Sequence, residues 1–563
     1  KDNWAGTINN FEKMEFELGS KVASGDTMLN VTTYNSLQTF DWSNIKVTNA
    51  ASWLTGATNS KQVVLYAGPS MTLNNYAVSP TVNGDYEYGL RSNTLTPTAS
   101  TVSADKIFFE GNKFQNSNVT YDVHNPVTTN TTYAGRSTLG NTTKNNKLTI
   151  DGVDFYGTLY GGYTESPIGD STNNEVFLKG GTTQITGTMA TIYGGWSEQG
   201  NATNNTVTFN NVTYTTFLHA HGGGSSNTGA DVKTGNKLRI VNSKDNWAGT
   251  INNFEKMEFE LGSKVTSGDT MLNVASQYST QTFDWNNIKV IGLSDWVSHL
   301  ASLHINNPTL TLYSGPALTL HNYVPELINN AGDYEFGKKA NTTATGTVSA
   351  SVLSIDGNRF QNVTTPTVVG TTVHGGYSSY GNTTNHNDIT ISSGAYTDTR
   401  AGYTNALKGG SNHNTLNLSG GSVTNAYGGY TTGVTASAAD LANDPAAKAD
   451  AKKNTLNISG GTLNAGGAAA AGYIATNNAL SAASDGDASE NTVTITGGTF
   501  GANTNIYGGY TEGAGKATKN TVNLEADSLA MGGAFLYGGG GASASDVFTD
   551  NTLNVKGQNI TVR

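Results

Sequence analysis

Residues 491–524 read "NTVTITGGTFGANTNIYGGYTEGAGKATKNTVNL", and the stretch returns to Asn-Thr-Val before it ends. Between the two Asn-Thr-Val runs stand a Gly pair, a Tyr-Gly-Gly-Tyr and a polar loop. Each run alternates strictly, with Val, Leu or Ile at every second place in "NTVTITGG", "NTLNISGG", "NTLNLSGG" and "NTVNLEAD". Period-2 alternation with branched apolar residues predicts a half-buried strand rather than a helix. The Gly pair turns the chain, and "NIYGGYTEG" predicts a second short strand entering a polar loop.

Outward from this stretch, the opening Asn recurs along the chain. It falls at Asn146, Asn174, Asn205 and Asn236, and again at Asn387, Asn414, Asn454, Asn491, Asn520 and Asn551. The spacings run from 27 to 40 residues, and the two longest contain the Ala-rich insertions "ASAADLANDPAAKADAKK" and "NNALSAASDGDASE". Such a period predicts an all-β solenoid, a parallel β-helix in which each strand pairs with its counterpart one repeat away. The insertions then mark loops on one side. In that arrangement the ten asparagines stack into a ladder of side-chain amides. Gly permits corners and close approach of neighbouring repeats. The first aromatics of the Tyr-Gly-Gly-Tyr motif, at Tyr160, Tyr193, Tyr427, Tyr507 and Tyr537, are expected to stack along one face.

A larger repetition encloses the small one. "KDNWAGTINNFEKMEFELGSKV" occupies residues 1–22 and recurs letter for letter at 244–265. The match then fades but persists in "GDYEYG" at Gly84 and "GDYEFG" at Gly332. The chain divides into a first unit, 1–243, and an extended second unit, 244–563. Each opens with an irregular β-rich segment, 1–130 or 244–370, and continues as short repeats, 131–243 or 371–563. The irregular segments are expected to be irregular coils of the same solenoid, with a separate β-sandwich as the alternative. Helix has room only in the Ala-rich insertions, near 436–453 and 465–490.

Composition sets the outer bounds. The chain has 563 residues, a formal charge of −11 without blocks of like charge, and no cysteine. Nothing resembles the basic footprint that nucleic acid requires, so no nucleic-acid partner is expected. Thiolate metal sites, thiol nucleophiles and disulfides are excluded. No stretch approaches 18 consecutive apolar residues, so no transmembrane helix is expected. The chain starts on Lys1 with no signal-peptide pattern, which reads as a mature protein or an excised segment.

The combination of "NFEKMEFELGSKVTSGDTMLNV", residues 253–274, with tandem "YGGYT" and "ATKNTVNL" runs resembles the passenger region of large bacterial type V autotransporters. The resemblance implies a right-handed parallel β-helix, display at the bacterial outer-membrane surface or release from it, and adhesion.

Chemistry is sparse. "LHAHGGG" puts His219 and His221 on one strand face as a metal pair needs, but no third ligand accompanies them and His221 stands where the repeat has Tyr. "DGDASE", with Asp485, Asp487 and Glu490, has only loose calcium-like spacing and reads as a solvated loop. Asp85 with Glu87, and Asp333 with Glu335, have the pairing a glycosidase uses; their presence in both units favours a structural turn. No catalytic residue, metal or cofactor is therefore assigned, and the chain is expected not to be an enzyme. The second aromatic of each motif meets the polar variable loop, so Tyr163, Trp196, Tyr403, Tyr430, Tyr473 and Tyr510 form a candidate contact row for glycans or proteins of host or bacterial surfaces. The alternatives are a subunit that self-associates into an extracellular fibre, and a polysaccharide-degrading β-helix enzyme.

Overall fold

The structure, a computed structural model, describes residues 1–50, 53, 60–94, 100–155, 157–166, 168–180, 190–212, 218–406, 409–432, 449–475, 486–513, 515–542 and 547–561. It is almost all β, and most of its sheets are parallel. One sheet takes Asn118–Tyr121, Lys147–Asp151, Glu175–Lys179, Thr206–Asn210, Lys237–Val241, Lys256–Glu260 and Ile288–Ile291 in chain order. Neighbouring strands lie one repeat apart and pair like with like. Leu148 stands beside Val176, Val176 beside Val207, and Leu178 beside Phe209. The alternation places these side chains inside, each buried, while Thr149 and Phe177 on the opposite face stay half-buried.

A second parallel sheet stacks the Tyr-Gly-Gly-Tyr strands Thr131–Ser137, Gly157–Thr164, Ala190–Ser197 and Leu218–Ser225. Beyond residue 370 the arrangement recurs. Asp388–Ile391, Thr415–Leu418, Thr455–Ile458, Thr492–Ile495, Thr521–Glu525 and Thr552–Lys556 form one sheet, with Thr372–Ser378 through Ala534–Gly541 in another. The large sequence repeat leaves no gap in the core. One apolar cluster runs from Val127 to Ile355, across residue 243, and a second fills 373–534.

The irregular segments open with parallel pairs, Asn3–Thr7 with Thr27–Thr33 and Met14–Glu17 with Ile45–Thr48 in the first, and depart from the expected parallel coils only in their later strands. In the first, Ser60–Asn74 pairs antiparallel with Thr101–Lys113, which pairs antiparallel with Tyr86–Ser92. In the second, Thr309–Tyr323, Gly346–Arg359 and Tyr334–Ala340 repeat the pattern. Short connections account for part of this: Thr81–Asn83 pairs antiparallel with Tyr86–Ser92 across only Gly84, at φ 58°, and Asp85, whereas a parallel neighbour needs a crossover of about a dozen residues. Parallel pairing with the short repeats also begins earlier than residue 131, at Asn118–Tyr121.

An α-helix, Leu293–Ser302, lies in the second module with Trp296 and Leu300 buried. In the Ala-rich region after 465, Ala468–Ile474 is a strand, not a helix, because it continues the sheet from Ser422–Thr431 to Thr504–Thr511. Residues 433–448 and 476–485 of the insertions lie outside the described residues. Among the described residues no helix is long and apolar enough to cross a membrane.

Candidate functional site

The outer face of the Tyr-Gly-Gly-Tyr sheet is built by its glycines. Positions three apart on a regular strand face opposite ways. Here Leu159 and Thr164 point inward while Tyr160 and Tyr163 lie outward, ring centroids 4.7 Å apart, so the Gly161-Gly162 pair resets the alternation. Each glycine has its own constraint. A Cβ on Gly161 would meet the Gly194 carbonyl oxygen at 2.3 Å, and one on Gly162 would meet Asn174 Nδ2 at 2.4 Å.

The second constraint recurs in all ten repeats. Gly135, Gly162, Gly195, Gly223, Gly376, Gly402, Gly429, Gly472, Gly509 and Gly539 each face the asparagine of their own repeat, with 2.2 to 2.8 Å from the position of a Cβ to its amide nitrogen or neighbouring amide atoms. The first small residue is Ala at 134, 401 and 471 instead. The second is always Gly, since the asparagine occupies its side-chain space.

Those asparagines form two runs of hydrogen bonds. Asn146 Nδ2 donates to Asn174 Oδ1 at 2.8 Å and Asn174 Nδ2 to Asn205 Oδ1 at 3.1 Å, and Asn205 N–H donates to Asn236 Oδ1 at 2.8 Å. From Asn387 the amide chain passes through Asn414, Asn454, Asn491 and Asn520 to Asn551 at 2.8 to 3.2 Å. Each backbone N–H donates to the same Oδ1, as Asn454 does to Asn491 at 2.9 Å. All ten are buried except Asn551, which is half-buried.

Outside this frame lie two columns of rings. The second-aromatic column runs in register through Tyr377, Tyr403, Tyr430, Tyr473 and Tyr510. Its centroid spacings are 5.2, 5.5, 5.2 and 4.9 Å, and the Tyr430 and Tyr473 rings are stacked nearly parallel, at 4°. The Arg400 guanidinium sits 4.3 Å over Tyr403 and 4.2 Å over Tyr430. In the first unit Tyr163 pairs with Trp196, Arg136 precedes Tyr163, and Gly224 follows Trp196. All six residues of the contact row are half-buried, so they are packed on one side and open on the other. Burial raises the Tyr163, Tyr403 and Tyr473 phenols and pushes Tyr430 up to about 12, so these four stay neutral at physiological pH.

The first-aromatic column is interrupted, contrary to a continuous stack. Tyr160 and Tyr193 stack at 5.4 Å and Tyr507 and Tyr537 at 4.8 Å, but Tyr427 stands opposite Ala470. His221 takes the Tyr place and stacks on Tyr193 at 4.6 Å; burial first, and then His219, pulls its pKa down to about 4. His219 contacts Thr250 Oγ1 at 2.8 Å and lies beside Tyr278. Tyr133, Arg136, Tyr377 and Arg400 belong to these columns but were not singled out in the sequence. "YAGR" and "RAGY" are the degenerate copies that signal three of them, and Tyr377 closes "HGGY".

The acidic pairs are absorbed into structure. Glu87 is fully buried and accepts from Ser137 Oγ (2.8 Å), Thr138 N (2.8 Å), Leu139 N (3.2 Å), Asn141 Nδ2 (2.8 Å) and Asn112 Nδ2 (3.1 Å). Burial raises its pKa against these bonds. Glu335 repeats the set with Ser378, Ser379, Tyr380, Asn382 and Asn358 at 2.7 to 3.2 Å. Asp85 accepts from Asn116, and Asp333 from Arg359, Gln361 and Asn362. Asp487 accepts from Lys516 N–H, Glu490 is exposed, and Asp485 lies outside the described residues. Among the described residues no group of three or more His, Asp or Glu side chains is placed to hold a metal.

Compared with known protein families, with curated proteins and with solved structures, the chain matches none.

Proposed function

We propose that this chain is a β-solenoid, a right-handed parallel β-helix, that works as a non-enzymatic adhesin at a bacterial surface. The solenoid reading is supported by in-register parallel pairing of strands one repeat apart in two sheets that share one apolar core. Surface display and release rest on the resemblance to autotransporter passenger regions.

The observation that carries attachment is the column Tyr377, Tyr403, Tyr430, Tyr473 and Tyr510. These rings lie outside the strand pairing, the asparagine ladder and the Val, Leu and Ile interior that run through the repeats. Half-open phenol rings with a polar tip suit stacking on sugar rings or capture of a protein surface. Repetition along the row adds weak contacts into avidity.

The test replaces Trp196, Tyr430 and Tyr510 by Ser together and measures binding to immobilised glycans and to cells. The expected result is a loss of ~10-fold or more in apparent affinity, as removal of several contacts of a multivalent surface implies, with the β spectrum unchanged. Parent-like binding by the folded variant overturns the proposal.

A further inference from the structure

The two antiparallel modules share a frame and differ in what fills it. "FDWSNIKV" at 40–47 and "FDWNNIKV" at 283–290 differ at one place. Trp42–Asn44 and Trp285–Asn287 each make a single 3-10 turn, in which the N–H of Ile45 or Ile288 donates to the Trp42 or Trp285 carbonyl. The two tryptophan rings lie edge-on against Tyr76 and Tyr323, at 4.7 and 4.9 Å.

In the second module a lysine closes this frame. Lys338 is 3 % exposed and stands opposite Glu326 in the strand register. Its Nζ donates to the carbonyls of Ile288 at 2.6 Å and Trp285 at 3.2 Å, pairs with Glu326 Oε1 at 2.8 Å, and sits 4.2 Å over the Trp285 ring. A buried ammonium is tolerated when its hydrogens find acceptors and its charge a partner. Lys338 has both.

In the first module neither member of that pair is present. Aligned through "GDYEYG" and "GDYEFG", Leu90 stands where Lys338 stands; counted three residues on from Tyr76 and Tyr323, Ser79 stands where Glu326 stands. The Thr81–Tyr88 register, continued outward, sets Ser79 opposite Leu90. The space itself remains, as an open cavity of about 500 Å³ lined by Trp42, Ile45, Ser79, Tyr88, Leu90 and Phe109 among others. Every lining residue lies within 42–109, between the module's own strands.

We propose that this cavity binds a primary alkylammonium, the chemical group that Lys338 supplies to the same frame in the second module. The carbonyls of Trp42 and Ile45 accept from the ammonium, the Trp42 ring faces its charge, and Tyr88, Leu90 and Phe109 cover its carbon chain. Ser79 offers a hydroxyl in place of a carboxylate, so the ligand is held weakly and exchanges. The site shares no residue with the aromatic row, so it stands or falls apart from the attachment proposal.

Titration of the full chain with butylammonium, the lysine side chain cut free of its backbone, tests the proposal by ligand-observed NMR. The expected affinity is at least ~10-fold above that of butanol, its neutral isostere, and of butyltrimethylammonium, which has no N–H to donate. Ser79→Glu, at an exposed position, supplies the missing carboxylate. It is expected to tighten butylammonium ~10-fold and leave butanol unchanged, a gain that misfolding cannot produce. Ser79→Glu combined with Leu90→Lys rebuilds the pair of the second module and is expected to abolish binding with the β spectrum unchanged. No binding by the parent chain, equal or tighter binding of either control probe, no gain from Ser79→Glu, or binding that survives the double variant overturns the proposal.

Discussion

In the short repeats every buried asparagine has a twin one repeat away, whereas in each antiparallel module a single carboxylate, Glu87 or Glu335, gathers five donors. Both satisfy buried polar groups, which is a condition for keeping them inside. They differ in what they permit. A ladder is extensible: each added repeat brings the acceptor its predecessor needs, and insertions between Asn414 and Asn454 leave the bond at 3.1 Å. The carboxylate is a terminator. It ties the loop after the first Tyr-Gly-Gly-Tyr-type strand, Ser137 to Asn141 or Ser378 to Asn382, down onto the hairpin, and it has no place for a second copy of itself.

The sharpest way to break the contrast is to remove the carboxylate. Glu335→Ala strands the N–H groups of Ser379 and Tyr380 and takes one acceptor from each of the amides of Asn358 and Asn382, which keep Ser379 Oγ and Asn330 Oδ1. A loss of about 3–5 kcal/mol is expected in chemical denaturation, the scale for uncovering buried partners of a charged group. Glu87→Ala should cost about as much because its partners match one for one. A loss below ~1 kcal/mol at both sites would mean that the loops are held by packing alone.

Ladder damage should be smaller and graded by position. Asn454→Ala removes the acceptor used by Asn414 N–H and Nδ2 and leaves the notch over Gly429 unfilled, for a loss of about 1–3 kcal/mol. Asn551 accepts from Asn520 and donates to the Ala517 carbonyl at 2.9 Å, but it is half-buried, so water can reach the partners it leaves and Asn551→Ala should lose less than ~1 kcal/mol. Hydrogen exchange at Asn414 and Thr415 locates the effect. Equal losses at the two positions would show that burial does not set the ladder's worth.

Much of the ladder was legible because its signal is a letter at a spacing. Asn491 and Asn520 head runs whose alternation states which side is inside. What the sequence concealed depends on contacts across repeats. The second Gly of each motif reads as a corner, yet its reason is the amide beside it. Lys453, Glu490 and Lys519, each preceding a ladder asparagine, adopt φ of 56° to 59°, a conformation their side chains do not advertise, whereas Asn145 and Asn173 do. Glu87 reads as part of a turn because four of its five partners lie 50 to 54 residues ahead and two of those are backbone N–H groups. Of the aromatic columns, the tyrosines of the intact motifs were legible, whereas Tyr133 and Tyr377 stand in degenerate copies and Arg136 and Arg400 replace the very letter that marks the position.

His221 lies where the two kinds of structure meet, stacked on Tyr193 of the short repeats and paired in register with Asn252 of the second unit. Its folded pKa of about 4 lies below the ~6.5 of an exposed imidazole. Below about pH 6.5 the unfolded chain therefore takes up a proton that the folded chain refuses, and stability falls with pH across the window between the two values. A loss on the order of 1 kcal/mol is expected between about pH 7 and pH 5.5. His221→Tyr restores the ring used in the repeat above it and removes the titrating group, so the variant should lose less stability over the same range. His219, held beside Thr250 and lowered by burial, contributes a residual slope of the same sign. Parallel pH profiles for parent and variant would mean that His221 is protonated freely in the folded chain, and that the junction is more open to water than its stacking implies.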